Sequence, residues 1–213
     1  MQDAREQVAA VSRRLAAKRL VHGSAGNVSV RTGDLVAITP TGSVLAQLEP
    51  DDVVVIDLDG RLVHGTRAPS SELDLNLGVY RRYDAGAVVH CHAPVATALS
   101  IVLHELPCVH YELMLLGGAI RVAPYATFGS PELAANVLDA LEDRSAALMA
   151  NHGMVAIGDD AWQALERTLL LEWVCEVYWR AAAVGEPRPL GERELAAAAA
   201  AFERQRSMLD MSG

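Results

Sequence analysis

The sequence predicts an α/β protein with a mixed or largely antiparallel sheet. Short runs rich in Val and Ile are punctuated by glycine and proline, as strands are. Residues 53–57, Asp59-Gly60 and residues 61–63 read as strand, tight turn, strand, which is an antiparallel pairing. Between such runs lie longer stretches with helical periodicity, so helices are interleaved with the strands.

Taken in order, Val8, Val11 and Leu15 recur at helical spacing in a first helix over about residues 3–20. The stretch GSAGNVSVRTGDLVAITPTG that follows is β-rich and broken by turns, giving a hairpin or two. Pro69-Ser70-Ser71-Glu72 opens a helix to about Tyr83, with serine as its cap and acids in its first turn. Residues 87–92 (AVVHCH) form a short buried strand, and Pro94 starts the next helix. Residues 120–123 form another strand, and Ser130-Pro131-Glu132 begins a helix to about Leu141 with proline at its first position. Residues 147–150 and 154–157 are strands flanking Asn151-His152-Gly153. After Asp159-Asp160 a long helix places Trp162, Leu165, Leu169, Trp173 and Val177 on one face, and the alanine-rich remainder forms a last helix.

The chain's 213 residues are 51% hydrophobic, enough for one sizeable core, and show no linker or fixed-period repeat. A single domain over residues 1–213 is expected. The longest apolar run, residues 195–202, falls far short of the roughly 20 residues a membrane span needs. The charged N-terminus lacks the apolar centre of a signal peptide. Cys91, Cys108 and Cys175 form no CxxC pair and no disulfide framework. A cytoplasmic location is therefore expected, and the glycosylation pattern at Asn27-Val28-Ser29 carries no weight there. Net charge is −9 with basic residues scattered, which argues against nucleic acid or an anionic membrane as partner. An anionic substrate would have to be held by local dipoles. No G-x-G-x-x-G or G-x-x-x-x-G-K-S/T is present, so the usual dinucleotide and P-loop sites are absent.

The chemistry-bearing residues begin with His90-Cys91-His92. Residues two apart on a strand share a face at roughly 6.5 Å, so two imidazoles can converge on one cation while Cys91 points away. Two unrelated sheet histidines would look the same. His152 adds to this: it occupies a turn between apolar strands, and three imidazoles with an open fourth position suit a catalytic zinc. Pro69-Ser70-Ser71-Glu72 reads either as a plain helix cap, with Ser71 and Asp74 as a capping box, or as a phosphate seat with Glu72 as a base beside it. Gly26-Asn27 and Thr41-Gly42 are ordinary glycine turns that could also approach an anion through backbone N–H groups.

Gly26-Asn27-Val28-Ser29, Thr39-Pro40-Thr41-Gly42, Pro69-Ser70-Ser71-Glu72, His90-Cys91-His92-Ala93-Pro94, His110-Tyr111, Pro124-Tyr125-Ala126-Thr127-Phe128-Gly129 and Asn151-His152-Gly153 occur in this order. Together they resemble the class II aldolase/adducin family, within it the branch that cleaves L-fuculose 1-phosphate. The resemblance runs from about residue 5 to 180.

It implies a three-layer α/β/α fold on a mainly antiparallel sheet, and a homotetramer with active sites between subunits. It makes His90, His92 and His152 the ligands of one Zn2+ per chain, with Mn2+ or Co2+ as alternatives. Glu72 would coordinate the resting metal and then act as base. Gly26, Asn27, Thr41, Gly42, Ser70 and Ser71 would form the phosphate pocket, and Tyr111 would steady or protonate the aldehyde oxygen across a subunit boundary. The implied reaction is retro-aldol cleavage of a ketose 1-phosphate to dihydroxyacetone phosphate and an aldehyde, through a metal-stabilised enediolate. No Schiff base is needed, and the one lysine is Lys18 in the first helix.

The chain departs from its relatives at Arg67-Ala68, where lysine is common, and in a C-terminal segment FERQRSMLDMSG without tyrosine. Those departures bear on which sugar is used. Same-scaffold alternatives are a sugar-acid phosphate decarboxylase, a methylthioribulose-phosphate dehydratase and a pentulose-phosphate epimerase. The epimerase resemblance carries aspartate at the Glu72 position, which disfavours it. A non-catalytic adducin-like interaction domain would have lost the ligands that this chain keeps.

Overall fold

The computed structural model describes residues 1–210; residues 211–213 of the C-terminal segment lie outside the described residues. Helix α1 (Gln2–Ala17) buries Val8, Val11 and Leu15 as their spacing predicts, and ends where Arg19 takes φ 60°. The glycine-broken stretch after it folds into β1 (Asn27–Thr32) and β2 (Leu35–Ile38), an antiparallel hairpin. Strands β3 (Val54–Asp57) and β4 (Leu62–His64) extend the hairpin outward. Further along come β5 (Ala87–Cys91), β6 (Glu105–Leu106), β7 (Ile120–Ala123), β8 (Ala146–Met149) and β9 (Gly153–Gly158).

The sheet order is β4-β3-β2-β1-β5-β9-β8-β7-β6, and every neighbouring pair is antiparallel except β7 with β8. Strand β6 was not expected from sequence, since two residues are too few to show alternation.

The remaining helices are α2 (Leu73–Arg82), α3 (Pro94–Val102), α4 (Pro131–Ala140), α5 (Ala161–Val184) and α6 (Glu192–Asp210). Side chains alternate across a strand, and β5 shows the consequence. Ala87, Val89 and Cys91 join the core under α1, α3 and α5, while Val88 joins the core under α2 and α4. The expected three layers are present. No helix among the described residues is long and apolar enough to cross a membrane.

Two sequence expectations need correction. Helix α2 starts at Leu73, not at the serines, and its N-cap Glu72 makes no side-chain cap. A Pro40–Pro69 bridge and the Ser70 N–H to Thr39 C=O bond hold residues 69–70 extended, and proline disfavours helix just before it. The buried face of α5 is Ala161, Ala164, Leu165, Thr168, Leu171, Val174 and Cys175, whereas Trp162 and Trp173 of the predicted stripe stand half-exposed. Small residues let this helix lie close to the sheet, and a helix apolar on most sides does not announce which side is inward.

Candidate active site

Strand β5 delivers His90 fully buried and on the α2 side of the sheet, the face that Val88 shares; His92 follows just past the strand end. Cys91 is buried on the opposite face, and burial pushes its thiol up to about 12, so it is no ligand here. The neighbouring turn carries His152. Its N–H bonds Met149 C=O at 3.0 Å while Asn151 takes φ 56°, a left-handed conformation asparagine tolerates better than most residues.

Two glycines permit the close approach. A Cβ on Gly153 would meet Cys91 O at 2.4 Å, and one on Gly26, already at φ 92°, would meet His90 O at 2.8 Å. The three rings end up with centroids 4.9–5.0 Å apart and one nitrogen from each within 4.8 Å of the others.

Glu72 enters from the start of α2. Its Oε2 lies 3.0 Å from His90 Nε2 and its Oε1 3.4 Å from His152 Nε2. His90 Nδ1 sits 2.9 Å from Met154 C=O, which can only accept, so Nδ1 carries the hydrogen. In neutral His90 the Nε2 lone pair therefore faces the Glu72 carboxylate and, at 3.2 Å, His92 Nε2. Acceptors crowded this closely require a proton or a cation between them.

The protonation directions agree. Burial raises the Glu72 pKa, but the His90 charge and hydrogen bond, then His152 and His92, outweigh it and bring it to about 2. His90 is pushed down by burial and up further by Glu72, ending above the ordinary histidine value. Burial first and neighbouring imidazoles second lower His92 and His152 to about 4. Glu72 Oε1 is buried without a hydrogen-bond partner. Three imidazoles, two of them held neutral, and a carboxylate with one orphaned buried oxygen fit a divalent cation, which would take the place of the His90 proton.

Beside this cluster opens a cavity of about 360 Å³. Gly26, Asn27, Thr41, Gly42, Ser70, Ser71, Glu72, His92 and His152 line it, bringing together every sequence-predicted site residue except His90 and Tyr111. His90 lies beneath Glu72 and His92. Tyr111 is outside the cavity, half-exposed, its ring against His110 and Phe202 at 4.6 and 5.9 Å.

The Thr41 N–H already bonds Ala68 C=O, and Ser70 Oγ accepts the Glu72 N–H. The Asn27 side chain is turned inward, donating to Glu72 Oε2 at 2.9 Å. The cavity also includes Tyr125, Ala126, Phe128 and Asn151, to which the sequence assigned no role although all four lie in its motifs. Nothing in their local spacing marks a wall, because they reach the site only by folding.

Residues 6–179 match the family described as class II aldolase and adducin N-terminal domain. The chain belongs to the class II aldolase/adducin family. Among its relatives, a 5-deoxy-D-ribulose 1-phosphate aldolase of Bacillus thuringiensis is 38% identical over 206 residues, covering 95% of this chain and 97% of that one. A 5-methylthioribulose-1-phosphate/5-deoxyribulose-1-phosphate aldolase of Rhodospirillum rubrum is 43% identical, covering 81% and 79%. A solved L-fuculose 1-phosphate aldolase superposes with a TM-score of 0.90 at 36% identity, over 94% of this chain and 96% of that one. Membership of this family makes the chain a class II aldolase-type lyase acting on a ketose phosphate.

Proposed function

We propose that the chain cleaves a ketose 1-phosphate with a methyl-ended tail to dihydroxyacetone phosphate and an aldehyde. The observation that carries this is Glu72, held among three imidazoles with its Oε1 free of hydrogen bonds, at the wall of a cavity rich in hydroxyls and turn amides.

The Thr41, Ser70 and Ser71 hydroxyls and the turn at Gly42 seat the phosphate. The ketose backbone then spans towards the histidines. The C4 hydroxyl gives its proton to the Glu72 carboxylate as the C3–C4 bond breaks, and the electron pair moves to C3, delocalising onto the C2 oxygen as an enediolate. Glu72 Oε1 then passes that proton to C3, which completes dihydroxyacetone phosphate and requires hydrogen-bond reach. Tyr111 of a neighbouring subunit serves the aldehyde oxygen, in a homotetramer. His90, His92, His152 and Glu72 would hold one divalent cation, zinc before Mn2+ or Co2+, whose Lewis acidity contributes several kcal/mol at the developing oxyanion. No lysine lines the cavity, so a Schiff-base route has no donor there. A cytoplasmic setting suits thiols that are all free.

The tail is inferred from the apolar rim of Tyr125, Ala126 and Phe128. Two relatives are named for 5-deoxy or 5-methylthio pentulose phosphates, and the solved neighbour for fuculose, a 6-deoxy sugar. A panel of ketose 1-phosphates with and without the terminal hydroxyl, with coupled detection of dihydroxyacetone phosphate, tests both parts. Higher kcat/KM for methyl-ended members is expected. Loss of water with no triose phosphate from any member would replace the aldolase by a dehydratase, and carbon dioxide released from a sugar-acid phosphate added to the panel would replace it by a decarboxylase.

A further inference from the structure

Beneath Glu72 runs a chain of buried polar groups that the reaction does not use directly. Asn27 Nδ2 donates to Glu72 Oε2 at 2.9 Å, and Asn76 Nδ2 donates to Asn27 Oδ1 at 2.9 Å. Ser29 Oγ donates to Asn76 Oδ1 at 2.7 Å, and Ser29 Oγ lies 2.7 Å from Tyr80 Oη. Ser29 has one hydrogen and spends it on Asn76, so Tyr80 must be the donor in the last contact. Burial drives the Tyr80 pKa upward against the opposing Ser29 and Val88 hydrogen bonds, which keeps that hydrogen in place. Every donor in the chain therefore points towards the carboxylate.

The geometry arises from two periodicities. Glu72, Asn76 and Tyr80 are four apart and share one face of α2. Asn27 and Ser29 are two apart and share one face of β1, while Val28 and Val30 enter the opposite core. Asn76 also donates to Glu72 C=O at 3.0 Å, tying the first turn of α2 to the same network. All five side chains are at least nine-tenths buried, so none is held by water and the network is costly unless complete.

We infer that Asn76, Ser29 and Tyr80 are positioning residues that lock the Asn27 amide with its N–H on Glu72 Oε2, so that Oε1 alone is left without a hydrogen bond, beside His152. This rests on the aldolase reading of Glu72. An Asn27 amide freed of Asn76 could turn its oxygen to the carboxylate and repel it. The carboxylate would then lose its fixed orientation, and displacements of about 1 Å in such groups cost up to 10²-fold in rate.

The test uses the full chain as Tyr80→Phe, Ser29→Ala and Asn76→Leu, each zinc-loaded for kinetics and Co2+-loaded for visible absorption. A graded fall in kcat is expected, about 3-fold for Tyr80→Phe and about 30-fold or more for Asn76→Leu, within that positional limit. KM and metal content should stay at wild-type values, and the Co2+ bands should shift in the same order. Loss of kcat, KM and metal together with the thermal midpoint would mean a packing role and overturn the inference, as would three unchanged variants. If Asn76→Leu fails to fold, the two hydroxyl variants decide by the same criteria. If the wild type cleaves no ketose 1-phosphate, the functional reading fails by itself. The Co2+ spectra then decide: graded shifts support the positioning role, and unchanged bands overturn it.

Discussion

Glu72 carries two obligations in one side chain, a contact to the histidine cluster and a free oxygen for proton transfer. Glutamine is nearly isosteric but cannot accept the proton, so Glu72→Gln should keep its metal and lose about 10²–10⁴-fold in kcat. Near-normal turnover in that variant would remove Glu72 from the proton transfer. His90 governs how the cation loads. Burial lowers its pKa and Glu72 raises it further, so it is protonated in the metal-free protein at pH values where His92 and His152, at about 4, are already neutral. A cation binds the neutral rings, so affinity should fall as pH drops through the raised His90 value. About one proton should be released per cation near pH 6. Calorimetry in buffers of different ionisation enthalpy counts those protons, and a release of two or three would contradict the arrangement.

At the scale of elements, α3 begins immediately after the metal strand, and α5 supplies its anchor. Glu172 accepts from Val95 N–H at 3.0 Å and Ala96 N–H at 2.8 Å, serving as a cap borrowed from another helix. Its charge also meets the positive end of α3. Glu172→Ala should lower unfolding free energy by about 1–2 kcal/mol, as lost caps do. Denaturant midpoints at unchanged slope would report it, and a change within error would make the cap incidental. Proline at the start of α3 and the Ser130 cap with Pro131 at the start of α4 were readable in sequence because such signals are local. A cap from 77 residues away was not.

On the scale of the whole molecule, the single chain leaves aromatic surface beside its cavity. Tyr125 and Phe128 are 64% and 69% exposed, and Tyr111 is 47% exposed outside the cavity. Exposed aromatic surface of this kind commonly marks an interface. Light scattering at micromolar concentration should give a mass well above the 22.8 kDa of one chain. Inactive Tyr111→Phe and inactive Glu72→Gln proteins, dissociated and reassembled together, should regain partial activity, because some hybrid sites combine both intact residues. A fully active monomer, or hybrids without recovery, would place Tyr111 in its own chain's packing.

The sequence by itself determined most of the strands and helices that carry the site, and marked three histidines as candidate ligands. Those features depend on period two, on period 3.6 and on turn chemistry, all of which act within a few residues. Asn76 and Tyr80, four and eight residues after Glu72 on one helical stripe, have no local partner in the sequence that would single them out. Tertiary structure alone supplied Asn27 and Ser29, from 45 to 51 residues away along the chain. It also chose the small-residue side of α5 over the tryptophan side, and set the aromatic rim above the cavity. A buried polar group is stable only when its partner is brought to it, and which residues meet is decided by how the sheet and helices pack.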